Sequence, residues 1–235
     1  MNTLSTGTVA ARALRAVTLA IALIGVAACS SIVPGADRDP PKLYDLSPKS
    51  TFSPKLPKAQ WQLVVEPPVA AAGLSSARIA LKRQPLRLEY YAKVSWTDTT
   101  PKMVQTLVIE SFENTNKIVS VGRTSAGLRS DYVLKTGLRE FQAEYMRTKG
   151  RPRIRVRISA KLVRMPQRTI IASKSFERIV SAKSNKMDAI VNAYDNALGK
   201  VLKKLVEWSL VEGQRSWKLL GPRRRRLFSR YRRRR

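Results

Sequence analysis

The tightest constraint on the fold lies between residues 153 and 162, where apolar and polar side chains alternate without a break. Ile154, Val156, Ile158, Ala160 and Leu162 occupy the even positions, with Arg153, Arg155, Arg157, Ser159 and Lys161 between them. A period of two sends one set to each face of a β-strand, whereas a helix would scatter both sets around its axis. This strand therefore buries one face and shows the other to water, as antiparallel sheets covered on one side do. Upstream, Tyr132, Leu134 and Leu138 are even, but Phe141, Ala143 and Tyr145 are odd. Both sets reach one face only if a residue is inserted, so a β-bulge is expected between Leu138 and Phe141. Pro166-Gln167 then turns the chain into a partner strand over residues 169–180.

The remaining elements follow from the same kind of reading. Gln62-Leu-Val-Val65, ended by Glu66-Pro67-Pro68, reads as a first strand, and 79–81, 87–91 and 118–121 as further short strands. Thr100 is placed to cap a helix with Pro101 at its first position. Val104, Leu107, Val108, Ser111 and Phe112 follow at helical spacing, and Asn114-Thr-Asn116 stops that helix. Asn185 is placed to cap a last, longer helix. Its apolar stripe runs through Ile190, Val191, Tyr194, Ala197, Leu198, Val201, Leu202, Leu205 and Trp208. The expected class is α+β: an antiparallel or mixed sheet with two helices packed on one face.

This domain is expected over residues 61–212, and the segments around it have other chemistry. Arg12 and Arg15 precede a 13-residue apolar run, 16–28, which ends at Cys29, the only cysteine of the chain. That is the layout of a secretory signal, and the run falls short of the roughly 20 residues that span a bilayer. Val26-Ala27-Ala28-Cys29 resembles the bacterial lipobox. The resemblance implies cleavage before Cys29, acylation of its thiol, and a lipid-anchored chain. Ser30 after the cysteine resembles the outer-membrane sorting pattern of enteric bacteria. Residues 29–60 hold six prolines and read as a partly extended tether. Residues 213–235 hold eleven basic residues and no acidic one, and read as a disordered tail.

Charge sets the class of partner. The chain has 45 Lys and Arg against 16 Asp and Glu, a net +29. Such a surface favours anionic lipid, wall polymer or nucleic acid, and export removes nucleic acid from what the chain meets in the cell. Two cationic groupings are candidate anionic-surface contacts: Arg153, Arg155, Arg157 and Lys161 on the strand, and Arg223, Arg224, Arg225 and Arg226 in the tail. The tail interleaves its arginines with Trp217, Leu227, Phe228 and Tyr231, a combination suited to anionic membranes. The strand cations have a plainer reading as a solvated face that discourages edge pairing. There is no histidine, so His-based triads and His metal sites are excluded. The carboxylate pairs Glu110/Glu113 and Glu140/Glu144 have acid–base spacing, but in so basic a chain they read as partners of Lys and Arg. Tyr90, Tyr91 and Trp96 read as core or as the lining of a groove. No catalytic residue, cofactor or metal is expected.

An ordered series of stretches resembles the ABC-type transport auxiliary lipoprotein family. It comprises Tyr44-Asp-Leu-Ser-Pro48, Leu63-Val-Val-Glu-Pro-Pro68, Gly73-Leu74 with Ala77-Arg-Ile-Ala80, Leu88-Glu-Tyr-Tyr-Ala92, and Trp96-Thr-Asp98 with Pro101. Glu110-Ser-Phe112, Asp131-Tyr-Val-Leu134, Leu138-Arg-Glu-Phe141 and the helix over 193–208 complete it. The resemblance covers about residues 43–208. It implies a non-enzymatic, lipid-anchored accessory of a phospholipid transport system, at the outer membrane facing the periplasm. The implied partners are an Mce-domain substrate-binding protein with its ABC permease and ATPase, and a homo-oligomeric ring. The other function weighed is a cationic envelope-binding lipoprotein that holds anionic lipid or wall polymer through its tail.

Overall fold

The computed structural model describes residues 40–124, 130–145 and 150–220. Its organising element is the 13-residue strand β7, Tyr132–Glu144. Strand β8, Arg153–Arg164, pairs antiparallel along the whole of one edge of β7, and β9, Thr169–Ser181, pairs antiparallel with β8. The other edge of β7 is shared by three shorter parallel strands. Strand β2, Ala59–Val65, takes Tyr132–Leu134. Strand β3, Val69–Ala70, takes Gly137–Leu138, and β4, Arg78–Gln84, takes Ala143–Glu144. The break between β2 and β3 falls on Pro67-Pro68, which have no N–H to give a ladder.

From β7 the sheet forks. On one branch β2 pairs in parallel with β6, Ile118–Arg123. On the other, β4 pairs antiparallel with β5, Arg87–Trp96, whose far edge takes β1, Lys42–Tyr44, in parallel. Among the described residues, nine strands make one mixed sheet. The helices α1, Thr100–Glu113, and α2, Met187–Leu219, complete the α+β fold expected from the sequence.

The alternating strand behaves as its pattern dictates. Ile154, Val156, Ile158, Ala160 and Leu162 are all at most 1% exposed and form one core with both helices. The α2 stripe from Ile190 to Leu205 is buried in that core, and Trp208 meets Phe176 edge-to-face at 5.5 Å. The β7–β8 register shifts between Leu138 and Glu140, where the bulge was expected. It brings Leu134, Leu138, Phe141 and Ala143 to one buried face. The opposite face carries a small patch of Val64, Val133 and Val163 with Met165 against it.

Two caps differ from expectation. The α1 N-cap is Thr99, one residue earlier, and Thr100 Oγ1 donates instead to Ser76 O at 2.9 Å. The α2 N-cap is Lys186, while Asn185 Oδ1 accepts from Tyr145 OH at 2.7 Å. At Asn185 a distant hydroxyl takes the oxygen that the helix's own N–H groups would use, whereas Thr100 is already the first residue of its helix. The α1 stop is as read: Asn114 is its C-cap, and Asn116 has φ 51°, a left-handed turn that asparagine tolerates.

The limits of the packed unit also differ from 61–212. Residues 45–58 are held as a strap, which corrects the tether reading for this stretch. Ser47 N donates to Asp195 Oδ1 at 2.7 Å and Ser53 N to Glu207 Oε1 at 3.0 Å, both carboxylates lying on α2. Lys49 N donates to Ser111 Oγ at 2.9 Å, and Asn114 Nδ2 donates to Lys49 O at 3.1 Å. Prolines leave such a segment without a ladder of its own, so side chains of both helices take its amides. At the other end α2 continues to Leu219, with Ser216 and Trp217 buried, so the first turns of the expected tail are helix.

The strap supplies a direct test. A bond from a backbone N–H to a carboxylate contributes roughly 1–3 kcal/mol. Glu207→Ala is expected to cost about 1 kcal/mol in urea unfolding and to speed amide exchange selectively at residues around Ser53. Unchanged exchange there would show that the carboxylate does not hold the strap.

Candidate functional site

The solvent face of β8 is a ladder of paired charges. Arg155 Nε donates to Glu144 Oε1 at 2.9 Å on β7, and its Nη1 to Glu177 Oε1 at 2.6 Å on β9. Arg157 Nη2 donates to Glu140 Oε1 at 3.0 Å. Gln142 Nε2 joins the two β7 carboxylates, donating to Glu140 Oε2 at 2.6 Å and to Glu144 Oε1 at 3.1 Å. Lys82 approaches Glu140 at 3.8 Å from β4. Burial lowers the Arg155 pKa, but its bonds to Glu144 and Glu177 outweigh that and hold it above the ordinary guanidinium value. The geometry is cross-strand compensation. Arg153 begins the row opposite Glu144 and Ser181, and Lys161 is exposed between Lys135 and Ser173. Arg155 and Arg157 are thus spent on carboxylates of the same sheet.

Of the carboxylate pairs, Glu140 and Glu144 are held by arginine and glutamine, and Glu110 and Glu113 lie in the last turn of α1. The aromatic candidates divide. Trp96 is core, edge-to-face with Tyr194 at 5.2 Å and with Phe141 at 6.0 Å. Tyr90 OH donates to Gly73 O at 2.9 Å, and the Arg78 guanidinium sits 3.6 Å over its ring. Tyr91 and Tyr145 share a hydroxyl contact of 2.9 Å, and burial pushes the Tyr91 phenol far above its ordinary range. None of the three lines either of the two grooves along α2.

Two open grooves border α2. One, of about 730 Å³, lies between the strap, β9 and the C-terminal half of α2, and mixes Lys55, Lys174 and Lys204 with Glu177, Glu207 and Glu212. The other, of about 900 Å³, is bounded by strap residues 47–50, by the end of β9 with the turn to Lys186, and by α2. Its floor is a polar helix stripe, Asp188, Asn192, Asp195, Asn196 and Gly199, at the spacing that shares one face. Four lysines surround it: Lys49, Lys183, Lys186 and Lys200. No run or periodicity marks these lysines in the sequence, because three separate segments supply them. Cys29 and Arg223, Arg224, Arg225 and Arg226 lie outside the described residues. Among those that are described, no helix is long and apolar enough to cross a membrane.

A forked mixed sheet with two helices packed against it, and a ladder of paired charges on its solvent face, defines the α+β class of this domain. The sequence profile of the ABC-type transport auxiliary lipoprotein component matches residues 44–206, and the chain belongs to that family. The family is described as an auxiliary lipoprotein component of ABC-type transport. A solved structure from Xanthomonas campestris is 30% identical with a TM-score of 0.71, covering 75% of this chain and 99% of that one. A second, of an uncharacterized protein, has a TM-score of 0.57 at 12% identity over 72% of this chain and 97% of its own. That likeness shows the fold alone. An uncharacterized protein of Bradyrhizobium diazoefficiens is 30% identical over 171 residues. The match covers 72% of this chain but only 44% of that relative, so the chain spans less than half of its length.

Proposed function

We propose that this chain is a lipid-anchored accessory of an Mce/ABC-type phospholipid transport system, acting by binding and scaffolding at the outer membrane on its periplasmic side. The observation that carries the proposal is the family match over residues 44–206, preceded by an apolar run that ends at the single cysteine, Cys29. In this reading residues 1–28 are removed, and two or three acyl chains at about 0.8 kcal/mol per buried CH₂ hold the new terminus. Residues 30–40 give the domain its stand-off, and the arginines beyond residue 221 add a membrane contact. The partners are the Mce-domain substrate-binding protein and its permease and ATPase, with a ring of like chains as the assembled form.

The test compares wild type with Cys29→Ser in a host that processes lipoproteins. Wild type is expected in the membrane fraction with an Mce-domain protein co-purifying, and the variant in the soluble fraction. A wild-type chain that stays soluble, or whose intact mass retains residues 1–28 without acyl chains, would overturn the anchor. A membrane-bound wild type that captures no transport component would overturn the transport role. Anionic-liposome binding lost on deletion of residues 221–235 would then favour the envelope-binding alternative.

A further inference from the structure

Some cations of this surface are paired with carboxylates and many are not; four of the unpaired ones share a single groove. Arg155 and Arg157 on β8, Arg83 and Arg87 on the β4–β5 hairpin, and Lys135 on β7 each face a carboxylate at 2.6–3.2 Å. Lys49, Lys183, Lys186 and Lys200 have no carboxylate within ion-pair distance among the described residues, although Asp188 and Asp195 line the same groove. Both aspartates have another role. Asp188 Oδ1 accepts from Tyr44 OH at 2.9 Å, and Asp195 Oδ1 accepts from Ser47 N at 2.7 Å, so they hold β1 and the strap against α2.

The backbones that carry these lysines are fixed. Lys49 is clamped at N–H and C=O by Ser111 and Asn114, and its Cδ lies 3.9 Å from where a Cβ on Gly199 would stand. Its stem is therefore laid against the helix at Gly199. Lys183 O accepts from Arg151 at 3.4 Å, and Lys186 N donates to Ser184 Oγ at 3.3 Å. Four lysines on anchored backbone line one concavity of about 900 Å³ and would gain from a shared anion. Ser47, Ser50, Ser181, Ser184 and the side-chain amides of Asn192 and Asn196 supply neutral donors around the same space.

We infer that this groove, formed by the strap, the β9–α2 turn and the start of α2, binds a phosphate-bearing anion through Lys49, Lys183, Lys186 and Lys200. The chemistry is that of a phosphate monoester or diester: several negative oxygens met by ammonium groups and by hydroxyl and amide donors. A phospholipid headgroup and a free phosphate share that chemistry. The site is independent of whether the chain serves a transporter, because it is defined by the folded domain alone.

The experiment titrates the full-length protein in a zwitterionic detergent with two soluble probes: inorganic phosphate, and dihexanoyl-phosphatidylglycerol below its micelle concentration. Wild type is compared with Lys49→Gln/Lys183→Gln/Lys186→Gln/Lys200→Gln and with a control of equal charge loss outside the groove, Lys58→Gln/Lys93→Gln/Lys102→Gln/Lys117→Gln. All eight lysines keep solvent contact, and thermal unfolding checks that both variants fold. The groove variant is expected to lose tenfold or more in affinity, and the control less than threefold. Binding of both probes assigns a phosphate site, and binding of the lipid probe alone assigns a headgroup site. Equal losses in the two variants, or no saturable binding of either probe by wild type, would overturn the inference.

Discussion

Replacing Trp61 with alanine is expected to remove about 3–5 kcal/mol of stability, the usual cost of emptying a fully buried tryptophan site. Trp61 is 0% exposed and ties together three parts of the fold. It projects from β2, meets Tyr132 of β7 edge-to-face at 5.0 Å, and its Nε1 donates to Gln214 Oε1 of α2 at 3.2 Å. Beneath the ring lies Gly213, where a Cβ would press on Cζ2 and would stand 2.9 Å from Cη2. The glycine is thus a contact surface inside a helix that runs six residues beyond it. Gly213→Ala alone is expected to destabilise by roughly 1–3 kcal/mol through overpacking, against a helix-propensity gain of about 1 kcal/mol. With Trp61→Ala already in place the obstruction is gone. The same glycine change is then expected to be neutral or to stabilise by up to about 1 kcal/mol. Urea unfolding of the four proteins in this cycle reads the sign directly. An equal cost for Gly213→Ala in both backgrounds would show that the indole is not what the glycine accommodates.

The same glycine shows where sequence patterns stop being informative. A glycine followed by a basic, acid-free stretch has the form of a helix end and a tail, and nothing local separates that from a glycine pressed under a tryptophan 152 positions away. The strap posed the same difficulty. Its prolines deny it a ladder, and the groups that fix it, Asp195 and Glu207, lie 148 and 154 residues downstream. By contrast, Ile154 to Leu162 were legible because a period of two is a property of the strand itself, and burial only had to choose a face. The bulge was legible for the same reason, since a parity change between Leu138 and Phe141 has one geometric remedy. The charged face was half legible. Its arginines stood in a row, but their neutralisation depends on register, which sets Glu144 and Glu177 on either side of Arg155. The groove lysines have no linear signature, because three separate segments supply them.

Tyr194 is expected to make stability fall in alkali in a way that one substitution removes. Its ring is 0% exposed in the aromatic group with Trp96 and Phe141, and its hydroxyl donates to Ala80 O at 2.8 Å. Burial pushes the phenol well above its ordinary value of 10.0. The folded chain therefore keeps the proton where the unfolded chain gives it up. For a group whose folded pKa is raised, the stabilisation is complete below the unfolded pKa and is lost as pH climbs towards the folded one. The window thus opens near pH 10, and above it Tyr194 is expected to cost about 1.4 kcal/mol per pH unit. Tyr194→Phe keeps the ring but gives up the bond to Ala80 O, so the variant should be about 1 kcal/mol less stable at pH 7. It has no phenol to ionise, so the two stability curves should approach above pH 10 and cross near pH 11, by about 1.4 kcal/mol per pH unit of relative slope. Lysine deprotonation in the same range affects both proteins alike and drops out of the difference. Urea midpoints at pH 7, 10 and 11 measure it. Parallel curves over that range would mean that the Tyr194 hydroxyl titrates in the folded state as freely as in the unfolded chain, which a fully buried phenol bonded to a carbonyl does not do.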